Sequence, residues 1–169
     1  MCVVGLSRPA SAATLAVSNC NDAGPGSLRA TVAAANPGDI ITFALSPSCD
    51  VITLTSGDIT IGTNLTIVGP GLNALAVSGD HVSNVFQIGT GVTANISGLT
   101  IEDGYAVGGG GGVYVGTIAT LTLTDCTVAD NVAPTGIQTD VGGPGKGGGI
   151  FVEGVLNLNL DPPMNGRSR

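Results

Sequence analysis

The sequence predicts an all-β fold, a parallel β-helix closed at its N-terminal end by one short helix. Three observations lead there. Strand signals are short and numerous, several of them repeat one another along the chain, and a single helix pattern precedes most of them between two Pro-Gly turns.

The helix pattern lies in "GPGSLRATVAAANPGD", residues 24 to 39. Leu28, Thr31, Val32 and Ala35 recur at the i, i+3, i+4, i+7 spacing of one helix face. Ser27 is a suitable N-cap, and Pro37 with Gly38 ends the helix after about nine residues. A helix that short is not stable alone. It must lay its narrow apolar face on the strands around it.

A strand-like "TLAVS" precedes the helix. After it come "DIITFAL", "VITLT", "DITI", "NLTIVG", "LAVSG", "NVFQI", "ANISGLTI", "GGVYV", "TLTLTDCTV", "GGIFV" and "VLNLNL". Each shows period-two alternation and is bounded by Gly, Asn, Asp or Pro. "ISGLTIEDG" (96 to 104) aligns with "LTDCTVADN" (123 to 131), and "NLTIVG" (64 to 69) fits the same strand. That register makes Leu65, Leu99 and Cys126 equivalent, and likewise Ile67, Ile101 and Val128. "GGVYV" (111 to 115) matches "GGIFV" (148 to 152) in the same way. The offsets vary while the strand pattern persists, as expected of solenoid coils whose insertions go to the corners. A β-sandwich is the alternative, because short strands with glycine turns are its signature too. In a solenoid the first coil exposes apolar core and unpaired backbone, and the amphipathic helix is a suitable lid for that end.

Composition narrows the function classes. Only 10% of residues are charged and 43% are hydrophobic, which argues against disorder. A net charge of -7, with Arg8, Arg29, Lys146, Arg167 and Arg169 scattered along the chain, argues against nucleic acid as a partner. No apolar run has the length of a membrane-spanning helix. Four cysteines, Cys2, Cys20, Cys49 and Cys126, allow three full pairings. A Cys20–Cys49 bridge would clip the helix to the first strands; the alternative is four reduced thiols. Ala10-Ser11-Ala12 has the small-x-small form of a signal-peptidase site. Residues 1–12 are read as the remnant of an export signal, the alternative being an ordinary flexible terminus, with 13–50 as the cap and 51–160 as β-helix coils. The tail, 161–169, has no strand pattern and is read as truncated or frame-shifted.

"CNDAGPGSLRATVAAANPGDIITFAL", followed by "ITLTSGDITIGTNLTIVGPG", "ISGLTIEDG" and "GGGVYV", resembles secreted bacterial proteins with a CSLREA-type N-terminal region and right-handed parallel β-helix repeats. These are pectin-lyase-like in fold and similar to chlamydial polymorphic outer-membrane protein repeats. The resemblance covers about residues 15 to 160. It implies a right-handed coil, export and an extracellular or bacterial cell-surface place. For a module so placed, polysaccharides or other cell-surface components are the expected partners. It implies fold more firmly than activity.

Lyases and galacturonases share that architecture, so the chain is read for their chemistry. From Ile59 to Leu160 there is no arginine, one lysine (Lys146) and one histidine (His81), which argues against a lyase mechanism. Glycoside hydrolysis needs two carboxylates, and the repeat offers one pair, Asp103 and Asp130, on successive coils. Glu102 and Asp125 lie close to them in sequence. The plainer reading is that the aspartates turn corners as Asx turns beside Gly104 and Asn131. The glycine runs "GGGGGV" and "GGPGKGGGI" lack phosphate-loop spacing. Cys126 is expected to face inward as an inert thiol. Thr53/Thr55 and Thr120/Thr122/Thr124 form Thr-x-Thr strands, but "LAVSG" and "VLNLNL" are read as interrupting any continuous threonine rank. No cofactor or metal is expected. The expected function is a non-catalytic secreted or surface module, adhesin-like and contacting glycans or other cells, as a monomer or as part of a longer chain. The alternative is a carbohydrate-active enzyme or an inactive fragment of one.

Overall fold

A computed structural model describes residues 11–71, 73–107, 109–133 and 148–159. Most of the proposed export remnant (residues 1–10), Lys146 and the tail 161–169 lie outside these residues. The chain opens with β1 (Thr14–Val17) and α1 (Leu28–Ala34). Then come β2 (Ile40–Phe43), β3 (Val51–Thr53) and β4 (Ile59–Ile61), followed by β5 (Leu65–Val68), β6 (Ala76–Ser78) and β7 (Phe86–Ile88). A third coil holds β8 (Thr93–Ser97), β9 (Thr100–Glu102) and β10 (Val113–Val115). A fourth holds β11 (Thr120–Thr124), β12 (Thr127–Ala129) and β13 (Ile150–Val152), and β14 (Val155–Asn159) begins the next.

Each coil gives one strand to each of three sheets. Sheet A runs β1-β2-β5-β8-β11-β14, sheet B β3-β6-β9-β12 and sheet C β4-β7-β10-β13. Each of these strand pairings is parallel. That removes the sandwich, which is built from antiparallel sheets. The molecule is a parallel β-helix.

The core is a set of aliphatic stacks along the axis. On sheet A, Ile41, Ile67, Ile96 and Leu123 face one another on successive coils. Sheet B stacks Ile52, Val77, Ile101 and Val128. Sheet C stacks Ile61, Ile88, Val115 and Val152, beside Ile59, Phe86, Val113 and Ile150. Each fully buried aliphatic in such a stack contributes about 1.5–3 kcal/mol relative to an exposed one.

One predicted equivalence is corrected. "NLTIVG" forms β5 of sheet A, where Leu65 pairs with Ala94 and Ile67 with Ile96. Leu99 and Cys126 do occupy matching positions, each immediately before the paired Thr100 and Thr127, but they belong to another side of the coil. The cause is that "ANISGLTI" and "TLTLTDCTV" are not single strands. Each breaks into two at one left-handed residue, Gly98 (φ 61°) or Asp125 (φ 49°). Alternation continues across such a corner, so periodicity alone cannot show it. The threonines also fall on different sides of the coil: Thr53 lies on sheet B, whereas Thr120, Thr122 and Thr124 lie on sheet A.

At the N-terminal end α1 buries Leu28 and Val32 against β1 and β4. Ser27 caps it, its Oγ accepting from Ala30 N–H at 3.2 Å. The capping segment also joins the solenoid, since β1 pairs with β2 as the first rung of sheet A. Cys20 and Cys49 form a disulfide with Cα atoms 5.8 Å apart. Arg29 is a second fastening, which the sequence did not single out. Its guanidinium donates to Asp22 Oδ1 (2.6 Å from Nη2) and to the Asp58 carbonyl (2.6 Å from Nη1). Asp22 Oδ2 accepts from Thr55 and Ser56, so helix, preceding turn and β3–β4 loop are joined through one ion pair. Burial alone would raise the Asp22 pKa. Hydrogen bonds from Ser56, Arg29 and Thr55, with the Arg29 charge, outweigh it and hold the carboxyl at about 2.

Two outcomes follow. Cys20→Ser should lower the unfolding free energy by about 3 to 4 kcal/mol, read from urea titration, because the bridge closes a loop across 29 residues. The Asp22 contact stabilises fully above its ordinary pKa of 3.8, and that contribution is lost as pH falls toward about 2. Asp22→Asn should therefore flatten the acid limb of a stability–pH profile across this window.

Candidate functional site

The two aspartates that sequence reasoning paired lie at the corner after sheet B. Register places Ser78 opposite Glu102 and Glu102 opposite Ala129. Asp103 and Asp130 come next in each strand and turn the corner in left-handed conformation (φ 52° and 53°). They occupy equivalent places on adjacent coils, about 4.8 Å apart along the ladder. On the coil before, Asp80 and His81 adopt the same conformation (φ 52° and 55°). Aspartate tolerates this region better than most residues, because its short polar side chain suits a local turn.

The contacts of Asp103 run between coils. Its Oδ2 accepts from Ser78 Oγ at 3.3 Å, and its Oδ1 lies 3.5 Å from His81 Nε2. The His81 N–H donates to the Asp103 carbonyl at 2.7 Å. With the imidazole side chain 64% exposed, the His81–Asp103 pair is weak, of the 0–1 kcal/mol class. Asp130 is exposed. Glu102 is half-buried on the rank just inside the corner, and its pKa is raised first by burial and then by the charges of Asp103 and Asp130.

His81, which the repeat alignment does not pair with the aspartates, is brought to Asp103 by the structure. "LAVSGDH" aligned on "LTIEDG" through Val77 and Ile101 carries the signal, but comparison of the later coils alone overlooks it. Asn131 has a larger role than turn-forming. Only 5% exposed, it accepts from Gly104 N–H at 2.8 Å and donates to the Ile101 carbonyl at 3.0 Å. It therefore binds two coils together from inside the corner. Gly104 must be glycine here, since a Cβ would meet the Gly111 carbonyl oxygen at 2.0 Å.

The chemistry this corner can perform is limited. A shallow groove on the outer face of sheet B is lined by Val51, Ala76, Thr100, Thr127 and Ala129 and reaches Glu102, but neither Asp103 nor Asp130 lines it. A glycosidase pair must flank a bound sugar, one member held protonated and the other ionised. Here the aspartates sit on an open corner beside that groove. Among the described residues, no three His, Cys, Asp or Glu side chains are grouped to hold a metal ion. Cys126 is half-buried against the core, its Sγ directed to the carbonyls of Ile96 (3.5 Å) and Thr124 (3.4 Å), and burial raises its pKa. Such a thiol is a poor nucleophile. Searches of the chain against family models, curated proteins and solved structures found no match in any of the three.

Substitutions at this corner separate turn-forming from coil-binding roles. Asp103→Asn should keep the unfolding free energy within about 0.5 kcal/mol of the parent. Asp103→Ala should cost about 1 kcal/mol, because alanine lacks aspartate's tolerance of the left-handed region. Asn131→Ala should cost about 1–3 kcal/mol by leaving the buried Gly104 N–H without its partner and removing the bond to the Ile101 carbonyl, read from the same denaturant titrations.

Proposed function

We propose that this chain is a non-catalytic β-helix module of a secreted or cell-surface protein, presenting a stiff, protease-resistant face to glycans or other cells. The observation that carries the reading is the Cys20–Cys49 disulfide across the N-terminal cap, because such bridges persist in oxidising compartments outside the cytosol. The motif resemblance to CSLREA-type secreted proteins with pectin-lyase-like repeats supports the same placement. The openness of the Asp103/Asp130 corner supports a non-catalytic role.

A second reading, a polysaccharide hydrolase or lyase or an inactive fragment of one, draws on His81 beside Asp103 with Asp130 one coil on. The two readings separate in one experiment. The chain is exported behind a bacterial signal peptide, its thiols are mapped by alkylation and mass spectrometry, and the product is incubated with neutral and acidic polysaccharides. The module reading expects a Cys20–Cys49 cross-link, free Cys126, and no new reducing ends or unsaturated products. Cleavage that is abolished by Asp103→Asn would establish the enzyme instead. Free Cys20 and Cys49 in the folded exported protein would remove the basis for extracellular placement.

A further inference from the structure

The outer face of sheet C carries a rank of side chains that the fold itself does not need. β4, β7, β10 and β13 set Thr60, Gln87, Tyr114 and Phe151 in line, each opposite the next. Their strand neighbours Ile59, Ile61, Phe86, Ile88, Val113 and Val115 are buried, so the four members of the rank face outward. The chain has only five phenylalanines and tyrosines, and two of them stand here rather than in the core. The Tyr114 and Phe151 rings are stacked, with centroids 5.7 Å and planes 12° apart. Phe151 packs over Gly109 and Gly110, where a Cβ would come within 2.8 Å and 2.9 Å of its side chain.

Phe151 covers one face of Tyr114. The tyrosine also borders an open hollow of about 300 Å³, lined with it by Asn84, Gln87, Ala106, Val107 and Gly109. That is the lower end of small-ligand sites, with room for one or two sugar rings. Val107 on its rim is 74% exposed. The Asn84 amide is anchored by donating to the Gly110 carbonyl, while Gln87 is exposed on the rank itself. Glu153 lies beside the Tyr114 hydroxyl and accepts from Thr117 Oγ1 at 2.9 Å. Among the described residues the only Lys or Arg is Arg29, which is occupied in the N-terminal cap.

An apolar ring face bordered by amides, with the Glu153 carboxylate close by, suits a ligand with apolar C–H faces and many hydroxyls but no negative charge. We propose that this face of sheet C binds a neutral polysaccharide, with one hexopyranose ring seated against Tyr114 in the hollow over Gln87. Phe151 is the positioning residue that holds the tyrosine ring upright. Asn84 and Gln87 hydrogen-bond the sugar hydroxyls, and the Glu153 carboxylate on the other side of Tyr114 disfavours an acidic sugar. The proposal deepens the surface-module reading and rests on it.

The test is calorimetric titration of the disulfide-bonded chain with cellohexaose, mannohexaose and hexagalacturonate, with NMR shifts locating the site. Binding of a neutral hexamer with shifts at Gln87 and Tyr114 is expected, and hexagalacturonate should bind more weakly. Tyr114→Ala and Gln87→Ala should each weaken binding about tenfold, whereas Tyr114→Phe should stay within about threefold of the parent. Far-UV circular dichroism melts establish that each variant is folded. The proposal is overturned if folded parent protein binds neither neutral hexamer, prefers the galacturonate, or binds equally well after Tyr114→Ala. Any of those results leaves the surface-module reading standing, since that depends on export and thiol state.

Discussion

Ile41, Ile67, Ile96 and Leu123 lie one above another on sheet A, and the other two sheets repeat the arrangement with Ile52, Val77 and Ile101 and with Ile61, Ile88 and Val115. This in-register stacking is the constraint the remaining structure obeys. A coil can lengthen at a corner, but a slip of one residue in any strand would turn its apolar set outward. Corners are therefore where variation is tolerated and where polar residues collect. Asp80, His81, Asp103, Asp125 and Asp130, all left-handed, follow from that rule before any chemistry is considered.

The same rule explains why paired aspartates make poor evidence for catalysis on this scaffold. Stacking places equivalent residues one rung apart on adjacent coils, so any repeated corner aspartate becomes a pair. What a hydrolase adds is a cleft in which the two differ in protonation. Asp103 instead interacts with Ser78 and His81 on an open corner. Sheet C differs in kind. Aliphatic repetition does not call for Tyr114 over Phe151 on the solvent side, so the aromatic rank asks for an explanation that the corner aspartates do not.

Much of the architecture was legible because solenoid physics is local. The helix pattern from Leu28 to Ala35, its Ser27 cap and its Pro-Gly stop depend on neighbours in sequence, and the structure shows the helix at Leu28–Ala34. Strand positions were legible for the same reason. Sheet membership was not. "NLTIVG" and "GLTIEDG" carry the same alternation, and only the corner residues Gly98 and Asp125 distinguish the sides of the coil. The aspartate pair was readable from repetition, whereas its histidine partner required a longer alignment. Arg29 and Asn131 act across 29 and 30 residues, to Asp58 and Ile101, through contacts that no local pattern announces.

The N-terminal fastening also bears on the order in which the molecule forms. A solenoid grows by adding rungs to an existing edge, and closing the first rung carries most of the entropic cost. The disulfide shortens that search by joining residues on either side of α1 and β2, and Arg29 fixes the helix to the loop before β4. A chain synthesised from its N-terminus presents this segment before the coils. The cap is then a template as well as a lid: it offers a finished edge of sheet A on which each later coil can be laid as it emerges.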